Sequence, residues 1–270
     1  MVRRSRFALL AALMLGGSMF VASGAAPAVA SVRFHSPIVA VKANQSNNWS
    51  GYNQGTLEKD NMLFSSMSGD WIVPTATQHT KGQDEYSSTW IGIGGGCVDS
   101  GCSATDSTLI QLGTEQDVDA TGTASYSAWW EIIPVPSVTI SKFTVAPGDH
   151  IHATLASTVP GVWTMTMSDL TSGSTFSQTI PYASTEDTAE WIEETPTEIG
   201  TSGTGLASLP NLGSVHFSLA TTNGAPANLT AAEQMKLVDS NNQVIATPSA
   251  PNAKHNGFND CTFRTTCAHP

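Results

Sequence analysis

Residues 162–170, VWTMTMSDL, alternate strictly: Val162, Thr164 and Thr166 fall on one side, Trp163, Met165 and Met167 on the other. Alternate residues of a strand share a face, so this run predicts a half-buried strand. The runs VTISKFTV (138–145), HIHATLAST (150–158), SVHFSLATT (214–222) and QMKLVDS (234–240) behave in the same way. APGD, TSGS, TTNG and DSNN punctuate them with the residue types that turns require. Many short strands and no long stretch of helical period predict an all-β chain folded as an antiparallel β-sandwich. No internal repeat and no Pro-rich linker divides it. TEIGTSGTGLASLPNLG (197–213) reads as a long polar surface loop, and the tail from Asn252 as a loop pinned by its cysteines.

The first residues depart from this pattern. Arg3, Arg4 and Arg6 precede an apolar stretch that begins at Phe7, and Ala28-Val29-Ala30 is a small-x-small cleavage signal. The apolar run is short and is broken by Gly16-Gly17, so residues 1–30 are expected to be a secretory signal peptide, not a membrane span. Residues 31–47 carry little pattern and are expected to be a flexible lead or short pro-segment, ahead of a single domain over 48–270. The expectation is a secreted monomer with no membrane association once the signal is removed. Cleavage would take three of the eleven basic residues and none of the 22 acidic ones, leaving 8 against 22 and a net charge of −14. So acidic a chain does not track a phosphate backbone, which excludes nucleic acid as a partner. It does suit an acidic habitat, where few basic groups remain to repel one another once the carboxylates protonate.

Four cysteines fall in two close pairs, and in an exported chain Cys97–Cys102 and Cys261–Cys267 are the expected disulfides, with other pairings open. The spacing is wide for a zinc knuckle. No metal or organic cofactor is expected.

Only 12% of the chain is charged, yet TAEWIEETP (188–196) holds three carboxylates. On a strand, Glu190, Ile192 and Glu194 share one face and Ala189, Trp191 and Glu193 the other. Glu190 and Glu194 lie roughly 13 Å apart at a strand's rise, too far to act as one close pair, so a working partner must come from another strand. Gln111 in STLIQLGTE and Glu131 in SAWWEIIP are candidates, because polar groups inside apolar strands are costly to bury without hydrogen-bond partners.

NWSGY (48–52), GDWIVP (69–74), STWIGIGG (88–95), LIQLG (109–113), AWWEIIP (128–134), PGD (147–149) and AEWIEETP (189–196) follow one another in an order that resembles the glutamic peptidase family, the eqolisins. The resemblance implies a concanavalin-like or jelly-roll-like sandwich of two packed, curved sheets and a secreted acid endopeptidase acting on polypeptides. Carried over by position, the family's catalytic glutamine falls on Gln111 and its catalytic glutamate on Glu194, with Glu193 standing where the family usually has Val or Ile. Glu190 is then structural, and Trp49, Trp90 and Glu131 line or back the cleft. Two departures stand out: Gly94 replaces the family's Asp, which bears on the pH optimum, and Trp130 replaces its Tyr.

In such a site one carboxyl serves as general base and then general acid, while a neutral amide donates to the oxyanion. Two other readings compete. A sandwich glycosidase would pair Glu131 with Glu194 and make Gln111 dispensable. A non-catalytic carbohydrate-binding sandwich would use Trp129 and Trp130 as a sugar platform. Asp99-Ser100-Gly101 occurs once, without the second copy a paired-aspartate mechanism needs. His150 and His152 share a strand face without a third ligand.

Overall fold

The structure, a computed structural model, describes residues 32–200 and 203–270; the expected signal peptide lies outside the described residues. Every long element among them is a strand, and the two helical elements, Thr56–Glu58 and Ala231–Glu233, are single 3-10 turns. No helix among the described residues is long and apolar enough to cross a membrane.

Two sheets form the body. In the first, strands Val138–Thr139, Ala124–Ile132, Leu109–Val118, Ser88–Gly94, Thr188–Glu194, Trp49–Gly55 and Gln234–Val238 are neighbours in that order. In the second the order is Thr175–Pro181, Val162–Asp169, His150–Val159, Ser66–Ile72, Ser214–Thr222, Phe258–Thr262, Val244–Pro248 and again Gln234–Val238, which joins the two sheets. These pairings are all antiparallel. The architecture is thus the antiparallel sandwich that the alternating runs predict.

Alternation explains the core. From the first sheet Ile91, Ile93, Ile110, Leu112 and Trp191 meet Met67, Trp71, Ile151, Leu155, Met165 and Phe217 of the second. Trp163, Met165 and Met167 are all fully buried, as their shared face requires. Two core indoles have their N–H groups satisfied, Trp71 Nε1 donating to Thr114 Oγ1 at 3.0 Å and Trp191 Nε1 to the Ser68 carbonyl at 2.9 Å, while Trp163 Nε1 has no partner among the described residues.

Three stretches differ from the sequence reading. VTISKFTV contributes only the two-residue strand Val138–Thr139, because Ile140 and Phe143, three residues apart, both turn into the core from a turn closed by Phe143 N–H donating to the Ile140 carbonyl. The expected loop 197–213 contains the strands Thr197–Gly200 and Gly203–Leu206, which form a small third sheet with Val32–Phe34. The tail contains a true strand, Phe258–Thr262, held between two neighbours and anchored by buried Phe258. Both expected disulfides, Cys97–Cys102 and Cys261–Cys267, are formed. The 31–47 stretch, expected as a flexible lead or short pro-segment, supplies three short strands, Val32–Phe34, Ala40–Lys42 and Gln45–Ser46.

Candidate active site

The outer face of the first sheet carries the candidate residues. Directly paired residues on neighbouring strands project to the same side. Asn53, Glu190, Gly92, Gln111 and Glu131 therefore make one row across five strands. Gly51, Ile192, Trp90, Gly113 and Trp129 make the next row, and Trp49, Glu194, Ser88, Glu115 and Ser127 the third. The middle row is an aromatic floor. Gly113 is required in it, since a Cβ there would lie 2.5 Å from Trp90 Cβ and 2.4 Å from the Thr89 carbonyl oxygen. Trp49 packs edge-on against Trp90 at 5.0 Å.

On this floor stand three polar side chains with no exposure to solvent: Gln111, Glu131 and Glu194. Gln111 Nε2 donates to Glu131 Oε2 at 3.0 Å. Trp90 Nε1 donates to Glu194 Oε2 at 2.9 Å. His35 lies between them. Its main-chain N–H donates to Glu131 Oε2 at 3.1 Å, its carbonyl accepts from Gln111 Nε2 at 2.7 Å, and its Nδ1 sits 3.0 Å from Glu194 Oε2. The imidazole stacks flat on Trp129, with centroids 3.6 Å apart. Gln111 Oε1, Glu131 Oε1 and Glu194 Oε1 have no hydrogen-bond partner among the described residues.

Charge states follow from this burial. Desolvation raises Glu194 above the ordinary carboxylate range, against the downward pull of His35 and Trp90. Desolvation pushes Glu131 up to about 7, helped by the negative field of Glu194 and opposed by His35 and Gln111. For His35 burial works against the charge, but hydrogen bonding to Glu115 and Glu194 outweighs it and lifts the imidazole to about 10. Glu115 shows the reverse balance: buried, it is still held down at about 2 by His35 and Arg33.

The structure brings Gln111, Glu131 and Glu194 onto one face and separates Glu193 from them. Glu193 points between the sheets, where Thr89 Oγ1 donates to it at 2.6 Å. Glu190 shares the outer face but lies in the Gln111 row beside Asn53 and Gly96, fully buried. Trp49 and Trp90 stand on the same outer face with no solvent exposure, Trp49 paired directly with Glu194 and Trp90 bonded to it through Nε1. His150 and His152 both bond Asp70, at 2.8 and 2.6 Å, on a different sheet. Asp99 caps Ser103 within the turn closed by Cys97–Cys102.

Three residues escaped the sequence reading: His35, Glu115 and Asp117. Glu115 and Asp117 were accessible by continuing the period of two from Gln111 along its own strand. His35, in a stretch without pattern, gave no signal. Gly94 adopts φ +89, and a Cβ on it would lie 2.2 Å from the Thr108 carbonyl oxygen. This backbone cannot take an aspartate there, so the departure from the family pattern is built into the local geometry.

A profile of the Peptidase A4 family matches residues 47–257. The chain belongs to that family. It is 27% identical over 194 residues to Aspergillopepsin-2 of Aspergillus niger, a match that spans 64% of this chain and 63% of that relative's length. Among solved structures, Scytalido-glutamic peptidase in complex with a peptide-based transition state analog superposes with a TM-score of 0.63 at 20% identity, covering 80% of this chain and 98% of that one. The aspergilloglutamic peptidase of Aspergillus niger superposes at 0.51 with 25% identity, over 66% of this chain and 99% of that one. The sandwich is therefore the glutamic peptidase fold. The sugar-platform reading loses its basis in the geometry: His35 covers Trp129, and Trp130 packs against the main core.

Proposed function

We propose that the protein is a secreted acid endopeptidase that hydrolyses peptide bonds with a Gln111–Glu194 dyad. Membership of the family supports the reaction class. The observation that carries the residue assignment is the Gln111 amide: it donates at 2.7 Å to a main-chain carbonyl on the face that Glu194 shares. A peptide carbonyl in that place is polarised, and the oxyanion formed when water attacks is stabilised, by a donor that does not titrate. Glu194, as carboxylate, takes a proton from the attacking water; as acid, it then passes that proton to the leaving amine. Its raised pKa keeps both forms within reach at acid pH. Glu131 accepts from the Gln111 amide at 3.0 Å and so fixes its orientation.

The test compares wild type with Glu194→Gln and Gln111→Ala on an unfolded protein substrate, from about pH 2 to neutral. Wild type should cleave in the acid range. Glu194→Gln should lose about 10²–10⁴-fold in rate, the usual contribution of a general acid–base group. Survival of full activity in Glu194→Gln would move the chemistry to another acid.

A further inference from the structure

Thr175–Pro181 ends the second sheet on one side. Among the described residues it pairs only with Val162–Asp169, and without a register shift. The edge strand of the first sheet, Val138–Thr139, is two residues long, whereas this one has seven. Free edges of sheets are kept short or guarded by charged side chains, bulges or proline. This edge reads TFSQTIP: it holds no charge, and its one proline is its last residue. Which main-chain groups stand open follows from the ladder. Asp169 N–H donates to the Ser174 carbonyl and Tyr182 N–H to the Gly161 carbonyl, each at 2.9 Å, in the register that pairs Val162 with Pro181. Bonded pairs alternate along an antiparallel ladder. Phe176, Gln178 and Ile180 therefore bond inward, to Val162–Asp169. Thr175, Ser177 and Thr179 direct both N–H and C=O outward, and Pro181 its carbonyl alone. Gln178 Nε2 reaches that outward Thr179 carbonyl at 2.9 Å.

We propose that this edge binds a second copy of itself, antiparallel about a two-fold axis at Gln178, in place of the expected monomer. In that register the strand is its own complement. Phe176 falls opposite Ile180 of the second copy, Ser177 opposite Thr179, Thr175 opposite Pro181, and Gln178 opposite itself. Phe176 and Ile180 are half-buried and already pack against the main core. As an aromatic and β-branched cross-strand pair, they carry that core across the axis. Ser177 and Thr179 exchange both of their outward main-chain bonds, and Thr175 N–H meets the Pro181 carbonyl. The missing proline N–H thus costs only the outermost bond. Moving the axis to Ser177 would set Phe176 against Gln178 and Ile180 against Ser174, which wastes both apolar side chains.

The edge lies on the second sheet, so pairing there uses none of the residues on the outer face of the first, and the inference does not rest on the reading of that face as catalytic. A contact of this kind is isologous: each copy presents the same surface, the edge is used up, and growth stops at two. One strand from each copy makes an interface below about 1,200 Å², the range of weak and transient association.

Sedimentation equilibrium of the purified chain, run from roughly 1 μM to 1 mM to span weak dissociation constants, should show the mass rising from one copy to two. Ser177→Pro removes an outward N–H and leaves the inward ladder standing. Gln178→Lys sets two like charges face to face at the axis. Both variants should remain single copies throughout, with the near-UV circular dichroism of wild type; the two act independently, so either one, folded, decides. Among the described residues no cysteine is free, so an introduced thiol reports the register. With oxidised glutathione, Gln178→Cys should give a disulfide-linked dimer. Thr175→Cys should not, because its two copies would lie roughly 20 Å apart along the strands. A wild type that stays a single copy at every concentration would overturn the inference, whether or not an unfolded polypeptide binds the edge instead. Dimers that persist in both Ser177→Pro and Gln178→Lys, or crosslinking by Thr175→Cys in place of Gln178→Cys, would also overturn it.

Discussion

The two faces of the first sheet are made by the same strands and buried to the same degree, yet they differ in kind. In Thr188–Glu194 all seven residues are buried. Toward the second sheet, Trp191 packs among Ile91, Ile93, Ile110 and Leu112, and its indole N–H is satisfied. Toward the outer face, Glu190 and Glu194 join Gln111 and Glu131, and each of the four has at least one oxygen without a partner among the described residues. Burying a polar group without a partner costs free energy, and native structures contain few such groups. Stability alone does not select the outer face, whereas a face that must bind and polarise a peptide requires open acceptors and shifted carboxyls. The core side has such groups too, Glu193 Oε1 and Trp163 Nε1 among the described residues, so the contrast is one of number, and it sets residues that hold the fold against those proposed to do the chemistry.

That separation can be broken from either side. Trp191→Ala should cost about 3–5 kcal/mol of stability, read from a denaturant midpoint, because a large cavity opens in the core. Gly94→Asp should cost about 2–4 kcal/mol, since the new Cβ meets the Thr108 carbonyl at a backbone angle unsuited to side chains. On the outer face, Gln111→Ala should slow cleavage about 10²–10³-fold, on the order of 3 kcal/mol of barrier. Its unfolding midpoint should move far less than that of Trp191→Ala.

The smallest effect, taken per pH unit, concerns buried carboxyls on both faces. Asp260, buried and bonded by Ser50 Oγ at 2.9 Å, is pushed up to about 7 by desolvation. Burial also raises Glu190 and Glu193 well above the carboxylate range. These groups bind protons more tightly folded than unfolded. Their contribution is complete below the unfolded carboxylate range near pH 4 and is lost as pH rises through the folded values. Asp260 alone should give a loss of up to about 1.4 kcal/mol per pH unit between roughly 4 and 7. Asp260→Asn should flatten the slope of unfolding free energy against pH over that window; an unchanged slope would remove Asp260 from the account.

Much of the fold was legible because period-two alternation is a direct record of burial. The Val162, His150 and Ser214 runs all became strands with their apolar sides inward. The same alternation puts Glu194 and Glu193 on opposite faces. What escaped depended on contacts distant in sequence. Thr197–Gly200 and Gly203–Leu206 lack an apolar side and pair because Val32–Phe34 lies alongside. His35 belongs to no periodic run; only the arrangement of strands carrying Glu131, Gln111 and Glu194 brings it to the face. Gly94 is a departure from the family's motif whose cause, a carbonyl 2.2 Å from a would-be Cβ, belongs to a neighbouring strand.

Adjacent Glu193 and Glu194 give the sharpest measurement. They are chemically identical, fully buried and one residue apart, and only the face they point to differs. Cleavage of an unfolded protein substrate by Glu193→Gln and Glu194→Gln, measured side by side in the acid range, should leave the first close to wild type and reduce the second by about 10²–10⁴-fold. Loss of cleavage in Glu193→Gln with activity retained in Glu194→Gln would contradict the account and put the reaction on the other side of the sheet.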